Sequence, residues 1–192
     1  MALSGDLTRM KKRREGFSLI EVMVALVILV IGLIGIFNLH IVAKRASFES
    51  FQQTQAAYFA NDILNRMKLN NSVLSNYDDG SPYSGGGSAP AKSCDVALGA
   101  TVTCNAAETL AWDLYQWQEL FTGAAEAVGS QNVGGLDSAT ACLNVNGSNV
   151  TIVMAWRGIQ ETAGTAYETT DCGNSLGKRR RVFILKTVIN QG

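Results

Sequence analysis

Residues 13–37 of this chain read RREGFSLIEVMVALVILVIGLIGIF, and they determine the structure of its N-terminal part. It joins two arginines, a small residue at Gly16 and a long apolar run that predicts a helix. Glu21 is the only acid in that run. Because a charge near the centre of a bilayer costs about 3 kcal/mol on insertion scales, an acid at this position indicates a functional role.

The spacing of Phe17 and Glu21 indicates what that role is. Glu21 lies one helical turn beyond Phe17, so a cut after Gly16 would place a new amine and a carboxylate at one helix end. We expect the Glu21 carboxylate to meet the amine of a neighbouring subunit inside lipid. The alternatives are a protonated Glu21 without a role, an uncut membrane anchor, or a secretory signal peptide cut near residues 43–46.

The charge of the chain is zero overall but is unevenly distributed. Five basic residues and two acids precede Gly16: Arg9, Lys11, Lys12, Arg13 and Arg14 against Asp6 and Glu15. Positive charge beside an apolar segment keeps that end in the cytoplasm, so the rest of the chain is expected to face outward. The uncharged stretch Val22–Phe37, together with Phe17–Ile20, approaches the ~20 residues that a spanning helix needs. Bulk charge gives no sign of a nucleic-acid-binding protein.

The cysteines all lie beyond the apolar segment, at Cys94, Cys104, Cys142 and Cys172. In an outward-facing domain disulfides are the default, and four cysteines allow three pairings. We favour the nearest-neighbour pairs, Cys94 with Cys104 and Cys142 with Cys172. A metal site is disfavoured because no two cysteines are close in sequence and His40, the only histidine, ends the apolar helix. No metal or other cofactor is expected.

The segment from Gly16 to Glu21, followed by an apolar helix, resembles the class III signal of type IV prepilins and type II secretion pseudopilins. That resemblance implies a leader of residues 1–16, removed by a membrane-bound prepilin peptidase between Gly16 and Phe17. It also implies methylation of the new amino terminus at Phe17, and an assembly role for Glu21 as the fifth residue of the mature protein. The implied location is the bacterial inner membrane in a single pass, with a periplasmic head, and then a pilus on the cell surface.

The fold expected is α+β and type IV pilin-like, with a long N-terminal helix packed on a C-terminal antiparallel sheet of three or four strands. Residues 17–39 would be the membrane half of the helix, 40–69 an amphipathic half, and 70–192 a globular head with disulfides. The amphipathic stripe is predicted at Phe48, Phe51, Gln55, Phe59, Ile63 and Met67.

Within the head the pattern predicts a loop, a second short helix and several strands. The loop covers Asn70–Pro90 and the helix Thr109–Val128. Strands are predicted at Val96–Cys104, at Thr140–Val145 and Asn149–Trp156 around an Asn146-Gly147 turn, and at Arg180–Ile189. Val150, Ile152, Met154 and Trp156 would share one face.

Beyond the leader, the layout is most similar to the minor pilins of the PilV type. This resemblance implies a role in starting pilus assembly and in a tip complex. The implied partners are other minor and major pilins through the N-terminal helix, the prepilin peptidase, the inner-membrane assembly platform and a tip adhesin. A type II secretion pseudopilin, a major or DNA-uptake pilin, and a plain anchored binding domain are the alternatives. Motility, adhesion, secretion and DNA uptake all stay open as outputs.

The sequence gives little support for an enzyme. Asp113 and Glu119 are expected on a solvated helix face, and the Gly85-Gly86-Gly87 stretch lacks the lysine of a phosphate loop. The basic run Lys178–Arg181 is expected to be solvated charge at an edge strand, with an acidic partner subunit or DNA as alternatives. Trp112, Trp117 and Trp156 are predicted in or beside the core.

Overall fold

The computed structural model describes residues 16–95, 101–162 and 170–190. The helices are α1 (Leu19–Leu69) and α2 (Ala106–Thr122), and short 3₁₀ helices cover Asn71–Tyr77 and Asn174–Arg179. The strands are β1 (Ala127–Val128), β2 (Gln131–Asn132), β3 (Thr140–Asn146), β4 (Asn149–Arg157) and β5 (Arg180–Val188). The predicted α+β architecture of a long first helix, a short second helix and a C-terminal antiparallel sheet is confirmed.

The chain forms two compact units, one ending at Lys44 and the other beginning at Arg45. In the first unit α1 is exposed on every side, and its described residues include no buried side chain. Large apolar residues such as Leu29 and Phe37 are more than half exposed there. Such a surface is stable only against apolar groups from outside the unit.

In the second unit, the rest of α1 buries one stripe of side chains at helical spacing. Its buried members are Gln52, Ala56, Phe59, Ala60, Ile63, Leu64 and Met67. The predicted stripe is therefore right at its C-terminal end and wrong at its beginning. Phe48 and Phe51 are exposed and Gln55 is only half-buried.

The stripe begins at Gln52 because this amide fixes a distant loop. Its Nε2 donates to the carbonyl of Gly135 at 3.4 Å, and its Oε1 accepts from the backbone N–H of Asp137 at 3.2 Å. A buried polar side chain is tolerated when both of its ends are bonded in this way. Hydrophobic periodicity alone therefore assigns this turn of the helix to the wrong face.

Helix α2 has defined signals at both ends. The Asn105 side chain accepts from the Glu108 N–H, and the Glu108 carboxylate accepts from the Asn105 N–H, both at 2.9 Å, which is a capping box. Gly123 ends the helix with φ of 74°, and a Cβ there would lie 1.9 Å from the Gly134 carbonyl oxygen. The helix thus runs over Ala106–Thr122, and the predicted bounds Thr109–Val128 begin and end too late.

The main sheet has the strand order β3-β4-β5, with all pairs antiparallel. Asn146 pairs with Asn149, so the hairpin loop is Gly147 and Ser148, one residue beyond the predicted centre. Gly147 has φ of 58°, which suits the first position of a two-residue hairpin loop. Alternate residues of β4 are buried on the core face as predicted: Val150, Ile152, Met154 and Trp156.

The core lies between α1, α2 and the sheet, and Trp117 is its largest fully buried side chain. The Trp117 Nε1 donates to the carbonyl of Phe59 at 2.9 Å, which joins the two helices. Its ring contacts Phe121 edge-on, with 4.8 Å between centroids. Each large apolar side chain buried this way contributes about 1.5–3 kcal/mol.

The segment between α1 and α2 is more ordered than predicted. The stretch Asn70–Pro90 was expected to be a loop, but its first part is the 3₁₀ helix, which buries Leu74 and Tyr77. Tyr83 and Ala141 exchange two backbone hydrogen bonds of 2.7 Å, so the segment also adds a bridge to β3. Residues 96–100 of the predicted strand Val96–Cys104 lie outside the described residues, and Thr101–Cys104 forms no strand.

Candidate functional site: the processing and assembly segment

Gly16 and Phe17 lie in a short segment before α1 that has no regular secondary structure. Both are exposed, and the Phe17 side chain is 83% exposed. A Cβ placed on Gly16 would meet nothing within 4 Å. No contact in the described part of the chain therefore requires a glycine at this position. A peptidase whose active site closely surrounds the residue before the cut would require one.

Helix α1 begins two residues after Phe17, and Ser18 fixes its start. The Ser18 carbonyl accepts from the N–H of Glu21 at 3.0 Å and from that of Val22 at 3.3 Å. Glu21 thus lies in the first turn, where the N-terminal end of the helix dipole favours a negative charge.

Glu21 has no ionic partner among the residues that the structure describes. Its side chain also accepts no hydrogen bond from residues 16–95, 101–162 or 170–190, and it is exposed. A carboxylate in the first turn of a bare apolar helix is poorly placed in lipid unless a cation meets it. Any such cation must therefore come from outside the described part of this chain.

The described residues contain one helix that is long and apolar enough to cross a membrane, and it is α1. The uncharged stretch Val22–Phe37 lies wholly in the exposed unit, and Gly32 and Gly35 do not interrupt it. Length and composition match a spanning segment, since ~20 apolar residues cross a bilayer.

Two disulfides constrain the head. Cys94 is joined to Cys104, and Cys142 to Cys172, each with 5.9 Å between Cα atoms. These are the nearest-neighbour pairs predicted from the sequence. The second bond holds β3 to the residues before the second 3₁₀ helix, so it closes a loop that contains all of β4. No group of three or more potential metal ligands occurs within the described ranges.

A buried polar cluster lies between α1, α2 and the first 3₁₀ helix, and sequence reasoning missed it. Asp113 is 8% exposed rather than solvated, so that expectation is wrong. Its carboxylate accepts from the Tyr77 hydroxyl at 2.7 Å and from Arg66 Nη1 at 3.2 Å. Asp113 lies three residues after Leu110 and four before Trp117, and therefore on the apolar face of α2. This spacing could have predicted that Asp113 is buried. Glu119 is half-buried.

Burial raises the pKa of two tyrosines in the head. Desolvation, followed by the hydrogen bond to Asp113, raises the pKa of Tyr77 well above its usual value. Desolvation, followed by the charge of Asp79, raises the pKa of Tyr83 to about 12. At the surface, the hydrogen bond from Lys92, at 2.9 Å, and then that from the Asn105 backbone lower the pKa of Glu108. None of these groups lies near Glu21 in sequence, and their contacts are structural.

The basic run Lys178–Arg181 is divided between solvent and structure. Lys178 and Arg179 are exposed, as expected. Arg180 and Arg181 are half-buried, which contradicts that expectation, and Arg181 Nε bonds the Glu49 carboxylate at 3.1 Å. Arg180 donates to the carbonyls of Thr170 and Cys172. The strand β5 entered here is an edge strand, as predicted.

The tryptophans lie where the sequence predicts them. Trp117 and Trp156 are in the core, and Trp112 is half-buried on α2.

Comparison with known proteins places residues 11–37 in a family described as the prokaryotic N-terminal methylation motif. The matched residues contain the exposed Gly16–Phe17 bond, the unpaired Glu21 and the apolar part of α1. The comparisons with curated proteins and with solved structures give no match. The pilin-like family that carries this motif is one of structural proteins rather than enzymes. The motif and the exposed apolar helix together fit a membrane-anchored protein, and they indicate a type IV prepilin-like N-terminal segment of the kind that contacts other pilin components.

Proposed function

We propose that this chain is a minor pilin of a type IV pilus, similar to PilV, that takes part in starting pilus assembly and in the tip complex. The leader 1–16 stays in the cytoplasm, residues 17–39 cross the inner membrane, and the head lies in the periplasm. Prepilin peptidase cuts between Gly16 and Phe17 and methylates the Phe17 amine. The observation that carries the proposal is the conjunction of an accessible Gly16–Phe17 bond with an unpaired Glu21 at the start of an apolar helix.

Glu21 is the residue that gives this proposal a mechanism. In the precursor its carboxylate has no partner in the described chain. After processing, each subunit carries an amine at Phe17, and the amine of one subunit meets the Glu21 carboxylate of its neighbour in the lipid. Opposite charges attract strongly at low dielectric, and the attraction exists only in one axial register. The pairing therefore selects the axial position at which a subunit joins the filament. A chain that has Glu21 can accept another subunit above it.

The head supports a filament subunit more than a catalyst. Its polar cluster at Asp113 is fully engaged in holding α1, α2 and the 3₁₀ helix together. Its cysteines form disulfides, which persist in an oxidising compartment such as the periplasm. These features support export of the head while the N-terminal helix provides contacts to other pilins and to the assembly platform.

Mass spectrometry of sheared surface filaments tests the proposal. We expect a peptide that begins at N-methylated Phe17, present at low abundance relative to the major subunit. The same processed peptide found only in the inner membrane would favour a type II secretion pseudopilin or a primer that stays at the base. A high-abundance peptide in filaments would favour a major pilin. An uncut chain in both fractions would contradict the proposal, and would favour a plain anchored domain.

A further inference from the structure

Strand β5 pairs with β4 along one edge, and its other edge pairs with no strand among the described residues. In an antiparallel pair, alternate residues exchange hydrogen bonds with the partner strand, and the residues between them turn their N–H and C=O groups the other way. The Gly158 N–H donates to the Arg179 carbonyl, and the Ile189 N–H to the Ser148 carbonyl, both at 2.8 Å. Odd-numbered residues of β5 therefore bond to β4, and even-numbered residues face outward.

We call the outward-facing backbone groups of Val182, Ile184, Lys186 and Val188 the open edge. Within the described ranges, none of these N–H or C=O groups has a hydrogen-bond partner. The side chains of Ile184 and Val188 are also exposed. The nine residues of β5 pair one-to-one with β4, so no bulge interrupts the strand, and the strand contains no proline. An edge without these protective features is a template for a further strand.

The opposite edge of the same sheet is closed by residues of the chain itself. Ala141 of β3 exchanges two hydrogen bonds of 2.7 Å with Tyr83. The N–H of Val145, which also faces outward, donates to the Asp78 carboxylate at 3.0 Å. At β5, by contrast, a further strand could be added without displacing any hydrogen bond that the structure shows.

The core-facing side of the open edge is incompletely covered as well. Phe183 and Leu185 lie on the face of the sheet that packs in the core. Both remain only half-buried, because no strand lies beyond β5 in the described part of the chain. A further strand with apolar side chains at matching positions would remove this apolar surface from water and would be stabilised by doing so.

We propose that the open edge pairs with β5 of a second copy of this chain, so that two heads join their sheets edge to edge. The two copies are related by a two-fold axis through Ile184. Phe183 of each copy then lies opposite Leu185 of the other, and the two apolar side chains meet on the core face. Lys186 lies opposite Val182, so that like charges do not oppose each other there. A two-fold interface needs one surface that complements itself, and β5 meets this requirement.

The pairing concerns the head alone, since all of β5 lies in the unit that begins at Arg45. It does not depend on cleavage at Gly16 or on the charge of Glu21, and it holds whether or not the chain is a pilus subunit. A single added strand pair buries less surface than a standard stable interface, so we expect the dimer to form at high protein concentration and to dissociate on dilution.

Amide hydrogen exchange of the full-length protein in non-ionic detergent, resolved to single residues, tests the pairing. In dilute protein the N–H groups of Ile184 and Lys186 should exchange fast, whereas those of Phe183 and Leu185, which bond to β4, should exchange slowly. In concentrated protein the exchange of Ile184 and Lys186 should slow about tenfold once nine molecules in ten are paired. Exchange at these two residues that does not change with concentration would overturn the proposal.

Substitution Ile184→Pro tests the same edge by sedimentation velocity. It removes an outward N–H that β4 does not use, and proline is tolerated on edge strands. We expect Ile184→Pro to remain monomeric at concentrations at which the native protein dimerises, with circular dichroism showing that the variant is folded. Ile184→Ala is the matched control, because it keeps the N–H and should still dimerise.

Equal dimerisation by the native protein, Ile184→Pro and Ile184→Ala would overturn the proposal. A dimer in which the Ile184 and Lys186 amides still exchange fast would be held by α1 in the detergent, and would overturn it as well. A native protein that is monomeric at every concentration would assign the open edge to a strand from a different protein. Because no filament is involved, each of these failures leaves the filament test unaffected.

Discussion

Glu21 is the residue on which the proposed assembly mechanism depends. Its surroundings contrast with those of Asp113, an acid that also lies among apolar residues but is buried in the head. Asp113 is held by Tyr77 and Arg66 within its own chain. Glu21 has no such partner among the described residues and lies on the part of α1, up to Lys44, that is exposed on all sides. An acid satisfied internally stabilises a fold, whereas an acid left unpaired on an apolar helix is suited to recognise a second molecule.

Substitution Glu21→Ala tests this contrast. We expect the variant to be cut at Gly16, because Glu21 lies in α1 and the bond to be cut lies in the extended segment before it. We expect its incorporation into filaments to fall to a small fraction of that of the native protein, because the neighbour's amine loses its partner. Immunoblots of sheared filaments and of membranes measure incorporation and processing in one experiment.

Glu21→Gln is the matched control, since it keeps the shape of the side chain and removes the charge. It should behave like Glu21→Ala in incorporation. Incorporation of either variant at the native level would refute the charge-pairing mechanism. A variant that is not processed would show instead that Glu21 is needed by the peptidase.

Among the elements, α2 shows how local signals decide bounds that hydrophobic periodicity leaves ambiguous. Its apolar residues continue past Thr122, but Gly123 in the left-handed region and its close approach to Gly134 stop the helix. At the other end, Asn105 and Glu108 form the capping box several residues before the first apolar position used in the prediction. The caps thus determine where the helix begins and ends, and within these bounds Trp117 lies on the face that packs in the core.

Substitution Asn105→Ala tests the cap. It removes the acceptor for the Glu108 N–H, and losing an N-cap side chain costs about 1 kcal/mol. We expect the free energy of unfolding of the head to fall by about that amount, measured by urea denaturation of the full-length protein in detergent with tryptophan fluorescence as the probe. Asn105→Ser keeps a capping oxygen and should lose much less. Equal losses in the two variants would show that the cap does not stabilise the head.

The elements also show how far the sequence alone predicts this molecule. The alternation of apolar residues and the Asn146-Gly147 pair predicted the β3–β4 hairpin to within one residue. The register is well determined because a shift of one residue would move every buried side chain of a strand to the opposite face. The glycine, phenylalanine and glutamate of the processing segment were recognisable from residue type and spacing. The Gln52 bonds, the Tyr83–Ala141 bridge and the Asp113 cluster were not predicted, since each joins residues that lie dozens of positions apart.

At the scale of the whole molecule, the stability of the head is linked to pH through Tyr83. Its hydroxyl donates to the Tyr77 carbonyl at 2.7 Å, and a tyrosinate cannot make this bond. The usual tyrosine pKa is about 10, and in the folded head it is raised to about 12, first by burial and then by Asp79. Between these two pKa values, the Tyr83 hydroxyl keeps its proton in the folded state and has lost it in the unfolded state. The contribution is complete below pH 10 and is lost as the pH rises toward 12.

We therefore expect the melting temperature of the full-length protein to fall between pH 10 and pH 12, measured by circular dichroism. Tyr83→Phe has no proton to lose at this position, so its melting temperature should fall less steeply over the same window. Tyr77 has a pKa raised in the same direction and should account for part of the remaining slope. Parallel curves for the native protein and Tyr83→Phe would contradict the linkage to Tyr83.

The bond between Cys142 and Cys172 has a mechanical consequence. It closes a covalent loop between two cysteines that are 30 residues apart in sequence, and this loop contains the β3–β4 hairpin turn and all of β4. Fully extended, a segment of that size would span about 100 Å. A pulling force transmitted along the chain passes through the sulfur atoms instead, so that this length cannot be drawn out. Under load the head can lose its secondary structure here and still not lengthen by that amount.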